Sequence, residues 1–568
     1  MFDGFWQAQE RHVVRRAPVA AQRAVGTAAA VAFLGFLFYA SLVPAGFANG
    51  DGAVYAQQIL QRDFAGRSVH LGYYLLGAVF TGFSEAAPDL AFNLLSAGSS
   101  ALTLAFIALL GIAWTGRLAG GWVSAAVLAV SWPFATASTQ AEVYGLQTCL
   151  LVAAVWLYWS FGGASWGPPA AGLAFAASVL VTPSTLFAAP AFLVIRRPRL
   201  RALATFGLSA AAWIAGALAV VWRDYFFGDR GLLAASTSGV DIPMAVLKEG
   251  FEVAFGFFAA LPWLVLGLWR LGTRPEHRPL GLGLAFMGTT TFFLGERFRD
   301  VPVQLPTYAL LAPVAALGWC WFADAVAQRT GKRGSWWALC GLSLVPPALA
   351  WLVRGRVDDL GALPVWWIPA LGTALAAALV VCAVLDRGDP RGGRSTLPAA
   401  LILAVTLGVN GLWATRLVSE ESRRVDAYRE RILTLGEVGE PGFLTVGTWD
   451  RGILFEHYLH RVSYTGHWIN TAWLAGTWGE DRRVEAEAQL DGAIAAGREL
   501  WLLSEHGGTR ARLEAAGYVL APVADLQGFL RARPRSGGGG SPEPEAPQSG
   551  APEPGSPTPR QPDGGEDP

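Results

Sequence analysis

The sequence predicts a polytopic α-helical membrane protein of about thirteen spans, followed by a small α/β domain and a disordered tail. Three observations predict it. Hydrophobic residues make up 53% of the 568-residue chain and charged residues only 15%, against roughly 25% charged in ordinary soluble domains. The apolar residues gather into uncharged blocks of about 20, the helical length that crosses ~30 Å of hydrocarbon. Between the blocks, arginines recur in clusters that all fall on one side when thirteen spans are drawn.

The blocks cover approximately 24–45, 89–113, 119–137, 144–162, 168–182, 184–195, 202–222, 249–270, 279–295, 304–325, 335–354, 364–385 and 397–416. Inside lipid every backbone N–H and C=O must pair within its own segment, so the blocks become helices. A transmembrane barrel would show short alternating segments instead. The pair 168–182 and 184–195 is short and broken at Pro183. It fits two thin spans or a re-entrant hairpin.

Orientation follows from the basic loops. Arg11, Arg15, Arg16 and Arg23 precede the first block, so residues 1–23 form a cytoplasmic N-terminus. Arg196 to Arg201, Arg270 to Arg278, Arg329 to Arg333 and Arg387 to Arg394 fall on the same side. Residues 24–416 are then the transmembrane domain, and everything after 417 is extracytoplasmic. No small-residue cleavage site follows the first block, which reads as an uncleaved span. The outward loops are 46–88, the corner 138–143, 223–248, 296–303 and 355–363. Within the first, Tyr55 to Asp63 is amphipathic and His70 to Phe83 is moderately apolar, the pattern of helices lying at an interface.

Past the last block the charge rises. Phe443 to Gly447, Leu500 to Leu503 and Tyr518 to Leu520 read as strands. Ile453 to His460, Glu485 to Arg498 and Thr509 to Ala516 read as helices. This alternation predicts an α/β domain over 417–533 with a parallel sheet. Residues 534–568 are rich in Gly, Pro, Ser and Glu and cannot bury a core.

Formal net charge is zero, so no basic field points to nucleic acid. Lys248 and Lys332 are the only lysines, and this arginine bias points to a GC-rich bacterial genome. Cys149, Cys320, Cys340 and Cys382 lie in apolar blocks at no metal-ligand spacing. The Asp-x-Asp, His-Glu-x-x-His and Gly-x-x-x-x-Gly-Lys motifs do not occur, so metal and nucleotide-hydrolysing chemistry has no support.

Ionisable groups at the outward ends of spans are the candidates for chemistry, because desolvating them is unfavourable without a purpose. Asp51, in Asn49-Gly50-Asp51-Gly52, is either an Asx turn at a helix end or an accessible carboxylate. Glu142 and Tyr144 lie in the corner between the third and fourth blocks, where Glu142 is a helix N-terminal acid or a site residue. His70 is a single interfacial histidine. Arg223 with Asp224, and Arg297 and Arg299 with Asp300, are surface ion pairs or a guanidinium clamp for a phosphate. Asp450, Arg451, Glu456 and His457 read as ordinary surface.

At these residues the chain resembles the GT-C fold glycosyltransferases. More closely it resembles the bacterial membrane proteins of unknown function related to protein O-mannosyltransferases. Asp51 after the first span, Asn93-Leu-Leu-Ser-Ala97, Gln140-Ala-Glu-Val-Tyr-Gly-Leu146, and Gln304-Leu-Pro306 with Tyr308 carry the likeness. It covers roughly 25–420 and extends to the segment from Thr445 to Tyr458. Two features depart from the family pattern: Gly52-Ala53-Val54 stands where a glutamate is usual, and His70-Leu-Gly-Tyr-Tyr74 stands where a His-Pro-Pro-Gly-Tyr-Pro run is usual. The resemblance implies a bacterial inner-membrane enzyme that uses a polyprenyl-phosphate-type sugar donor, without a metal or cofactor. Asp51 would be the general base. His70, Arg297 and Arg299 would stabilise the leaving phosphate, and Glu142, Tyr144, Arg223 and Gln304 would bind substrate. The acceptor stays open among protein, glycan and lipid. A transporter or lipid flippase, with its broken helices, and a non-catalytic envelope-assembly protein are the competing classes.

Overall fold

The computed structural model describes residues 21–48, 50–60, 70–82, 88–195, 200–217, 260–274, 277–294, 301–329, 397–438, 444–447, 468–470, 480–502, 507–522 and 530–535, with isolated positions such as Gly256, Leu454 and Tyr458. The predicted spans 335–354 and 364–385 lie outside them, as do Arg223, Arg297 and Arg299.

The chain runs through α1 (Ala21–Ala40), α2 (Gly50–Leu60), α3 (Leu71–Thr81), α4 (Pro88–Thr115), α5 (Leu118–Ala129), α6 (Trp132–Thr139), α7 (Val143–Phe161) and α8 (Gly167–Val181). A 3-10 helix (Pro183–Ala188) and the short α9 (Ala191–Val194) lead to α10 (Leu200–Ala217), α11 (Leu261–Thr273), α12 (Arg278–Leu294), α13 (Val301–Arg329) and α14 (Leu397–Val438). Among the described residues α1, α4, α7 and the Leu305–Asp324 part of α13 are long and apolar enough to cross a membrane, with a fifth crossing if α5 and α6 count as one. The protein is a polytopic α-helical membrane protein.

Helix α4 is the central pillar, touching α1, α2, α3, α5, α6, α7 and α13. Its inward face is buried from Ala91 to Trp114. Gly116 adopts φ 70°, the left-handed residue that ends a helix and turns the chain into α5. At that end Arg117 grips Asp324 of α13 through paired bonds of 2.7 and 2.9 Å. Cys149 and Cys320 are buried.

Residues 119–137, predicted as one span, form two helices bent by 71°. The cause is Pro133, which has no N–H to give Ala129 and starts a new helix well. The freed carbonyls are taken up from elsewhere. Tyr39 Oη donates to Ala129 O at 3.1 Å, and Asn410 Nδ2 donates to Val130 O at 2.7 Å. Asn410 is buried on α14, so α14 caps the break between α5 and α6. After α8, the 3-10 turn of six residues and the four-residue α9 are too short to cross on their own.

Helix α14 does not stop at 416. It continues to Val438, and the first strand begins at Leu444. The sheet holds β1 (Leu444–Gly447), β2 (Trp468–Asn470), β3 (Leu500–Leu502), β4 (Tyr518–Pro522) and β5 (Leu530–Pro534), in the order β2-β1-β3-β5-β4. Strands β2 and β3 flank β1 in parallel, while β5 runs antiparallel to both β3 and β4. The sheet is mixed, not parallel, because β4 and β5 pair with each other instead of being separated by a crossover helix. Helices α15 (Glu480–Ala495) and α16 (Gly507–Ala515) cover one face. Alternation along β3 sends Leu500 and Leu502 into the domain's own core. Trp501 between them joins a second cluster with Phe47, Tyr55, Ile432 and Tyr458. The sheet thus docks on the end of the bundle through the face that carries Trp501.

Candidate active site

That second cluster gathers the loop after α1, the α6–α7 corner, the end of α8, the extension of α14 and the sheet. Asp51 stands exposed in the first turn of α2, where the helix dipole favours an anion. The next residue, Gly52, lies flat against the corner. A Cβ there would meet Phe47 at 2.8 Å, Ala141 Cβ at 3.1 Å and Ala141 O at 3.2 Å. Asp51-Gly52 and Ala141-Glu142 are therefore adjacent, although about 90 residues of chain separate them.

Glu142 occupies the N-cap position of α7 in extended backbone, yet its side chain makes no capping bond. Its backbone is held by Ser96 of α4, whose hydroxyl lies 3.4 Å from both Glu142 N and Glu142 O. The carboxylate acts on Tyr55 and Tyr73, and the Asp51 carboxylate acts on Tyr55 and Tyr74. Burial first, and then these charges, push the Tyr55 phenol well above its usual range. Tyr144 adds to the field at Tyr55. Tyr55 therefore marks the point where the two acidic segments meet.

The aromatic frame is built from α2 and α3. Tyr55 meets His70, Tyr73 and Tyr74 edge-on at ring separations of 5.6, 5.3 and 5.8 Å. Tyr73 leans on Phe92 of α4 at 5.9 Å. Helix α3 buries Tyr73, Tyr74, Gly77 and Thr81 and leaves Leu75, Val79 and Phe80 exposed. It carries an apolar outer face beside the acidic cluster.

His70 departs from its expected part. Its Nδ1 lies 2.7 Å from Val181 O. A carbonyl only accepts, so Nδ1 carries the proton and Nε2 the lone pair. Although the ring keeps some solvent contact, the dense protein around it lowers its pKa to about 4. It is neutral at pH 7 and brings no positive charge to a phosphate. Protonation is harder in the fold than in the unfolded chain, whose value is near 6.5. The stability this contributes is present above about pH 6.5 and lost as pH falls toward 4. Asn at position 70 keeps a donor for Val181 but does not titrate. His70→Asn should flatten the fall in folded fraction between about pH 7 and 4.5, measured on the solubilised protein after a fixed heating step. An unchanged profile would refute the burial argument.

Of the other expected site residues, Gln304 lies in the first turn of α13, ahead of buried Leu305 and Tyr308. Arg223, Arg297 and Arg299 lie outside the described residues. Sequence reasoning singles out Asp51, Glu142, Tyr144 and His70, and the fold brings all four around Tyr55. It overlooks Tyr55 as a meeting point. It also overlooks the α14 face Ser422, Asp426 and Arg429, whose i, i+4, i+7 spacing is a legible helical signal.

No protein-family model matches the chain, and no curated protein matches it. Its fold is similar to that of ArnT from Cupriavidus metallidurans in a crystal structure bound to undecaprenyl phosphate. The TM-score is 0.60 at 12% identity, over 89% of this chain and 97% of that one. The apo structure of the same protein gives a TM-score of 0.56 at 15% identity, over 90% and 98%. Archaeal oligosaccharyltransferase AglB from Archaeoglobus fulgidus, solved with an inhibitory peptide and a dolichol-phosphate, gives 0.44 at 11% identity, over 84% and 69%. With the helical bundle and the small sheet docked at one end of it, the likeness to ArnT over nearly the full length of both chains shows that this protein has the GT-C fold.

Proposed function

We propose that this chain is a membrane glycosyltransferase. It moves a sugar from a polyprenyl-phosphate-type lipid donor to an acceptor hydroxyl on the extracytoplasmic face, with inversion. The observation that carries the reading is the close contact of Gly52 with Ala141, which sets Asp51 beside Glu142 next to Tyr55 and the exposed apolar face of α3. Two helix-end acids with unrelated structural duties have no reason to share one aromatic frame. The ArnT structure, which carries undecaprenyl phosphate, supports a lipid-borne donor for this fold.

In this reading the acceptor hydroxyl gives its proton to Asp51 as its oxygen attacks the anomeric carbon. The bond from that carbon to the donor phosphate breaks, and its electron pair leaves on the phosphate oxygen. A single displacement inverts the centre. Arg297 and Arg299 neutralise the departing phosphate, with Arg223 as a further contact. Glu142, Tyr144 and Gln304 bind sugar or acceptor. His70, being neutral, positions Tyr55 and α3 instead of carrying charge. The acidic site and the C-terminal domain face the periplasmic side of a bacterial inner membrane, with the N-terminus in the cytoplasm.

Transport is the reading that the bent α5–α6 pair favours. Among the described residues, however, the buried Asp and His side chains are Asp89 and His277, both at helix ends. No buried Lys, Arg or Glu lies among the described residues, mid-span or elsewhere. The deciding experiment incubates the purified protein with a polyprenyl-phosphate sugar and follows donor consumption and release of the polyprenyl phosphate. Release is expected. Movement of labelled donor across vesicles without bond cleavage would favour transport and end the transferase reading.

A further inference from the structure

Residues 41–48, between α1 and α2, belong to neither helix, and beyond the bonds from Ser41 N and Leu42 N back to Leu37 O and Tyr39 O their backbone groups need partners from outside the segment. Side chains from three distant segments supply them. Asn93 Nδ2 of α4 donates to Pro44 O at 3.0 Å and Gly46 O at 2.9 Å. Ser422 Oγ donates to Leu42 O at 2.7 Å. Ala45 N donates to Asp426 Oδ1 at 2.7 Å, a bond between residues 381 apart. Phe47 N donates to Tyr458 Oη at 2.6 Å, across 411 residues. Tyr458 is fully buried, and a Cβ on Gly46 would come within 2.7 Å of its hydroxyl and 2.9 Å of Arg429 Cδ. The segment then hands its position forward, because the Phe47 ring packs on Phe92 and against Gly52, next to Asp51.

We propose that Asp426 and Tyr458 are positioning residues for Asp51, so that the C-terminal region is part of the catalytic scaffold and not a cover over it. The proposal rests on Asp51 being the base. Two of the bonds that locate residues 44–47 exist only when the α14 extension and the segment carrying Tyr458 are docked. A base must lie within about 3 Å of the proton it takes, and displacing it by ~1 Å from afar lowers turnover by as much as about a hundredfold. Removing the Tyr458 hydroxyl leaves a buried Phe47 N–H without its acceptor and loosens the segment just ahead of the carboxylate.

The test uses the full chain and two readouts. Tyr458→Phe keeps the ring and deletes the acceptor oxygen. Asp426→Ala deletes the other acceptor, while Asp426→Asn keeps an oxygen that Ala45 N can use. Tyr458→Phe and Asp426→Ala should each lower kcat about tenfold or more, with KM for the lipid donor within about threefold, and Asp426→Asn should recover most of the loss. Amide exchange should rise about tenfold over the peptide 44–56 and stay unchanged over 143–161. Unchanged exchange at 44–56 in an active protein overturns the positioning role and leaves the transferase reading intact. Faster exchange with full kcat also overturns it. If the unaltered protein releases no polyprenyl phosphate, the enzymatic reading and the positioning role fall together, and faster exchange then shows only a structural clasp.

Discussion

Asp51→Asn should abolish transfer while the protein stays folded in the membrane. Asparagine matches aspartate in size and still accepts hydrogen bonds, but it cannot take a proton at neutral pH. General-base catalysis contributes roughly 10²- to 10⁴-fold, so kcat should fall by about that factor. The backbone at Asp51 is held by Gly52 against Ala141 and by Phe47, neither of which depends on the carboxylate. Donor affinity and the melting profile should therefore barely change. Glu142→Gln should differ, raising KM more than it lowers kcat, because Glu142 is assigned to binding. Both are read from initial rates of polyprenyl-phosphate release. Turnover in Asp51→Asn within about threefold of the unaltered protein would remove the base role.

Gly267→Ala should be the most damaging single methyl in the described bundle. Helices α11 and α13 cross backbone to backbone at Gly267 and Gly318. A Cβ on Gly267 would lie 1.9 Å from Val314 O, and one on Gly318 would lie 2.0 Å from Trp263 O and 2.6 Å from Gly267 N. These obstacles are main-chain atoms of packed helices, so no rotamer change relieves them. The helices must part, which forfeits packing along Leu264, Leu271 and Leu310. Overpacking a core costs typically about 1–3 kcal/mol, and clashes on both helices place this site at the top of that range. Close approach through small residues is also how membrane helices associate. Gly272→Ala, on the same helix with nothing within 4 Å, is the control and should be neutral or slightly stabilising. Retained monodisperse protein after heating in detergent separates the two. Equal behaviour of both variants would show that the helices do not meet this closely.

Much of the fold is legible in short stretches. The run Pro88–Thr115 is apolar enough to be a helix in lipid whatever surrounds it. Asp51, Glu142 and His70 stand out because polar groups at span ends are rare and each needs a reason. The break at Ser131 does not stand out, although Pro133 is in view, because proline is tolerated in membrane helices when other groups serve the freed carbonyls. Whether Tyr39 and Asn410 do so cannot be read from either segment. Alternation of strands and helices predicts a parallel sheet, but β2 is only three residues long and β5 follows β4 with no helical pattern between them, so pairing alone identifies both.

Composition and periodicity by themselves determined that the chain lives in a bilayer, where many of its helices lie, and which acids are unusual. These are properties of one segment meeting solvent or lipid, so one segment suffices to encode them. Only the tertiary structure decided that Asp51 and Glu142 share Tyr55, that His70 is neutral, and that Asp426 and Tyr458 hold the stretch of chain before Asp51. Those facts depend on surfaces far apart in the chain fitting together, and packing of that range leaves no periodic trace in the local sequence.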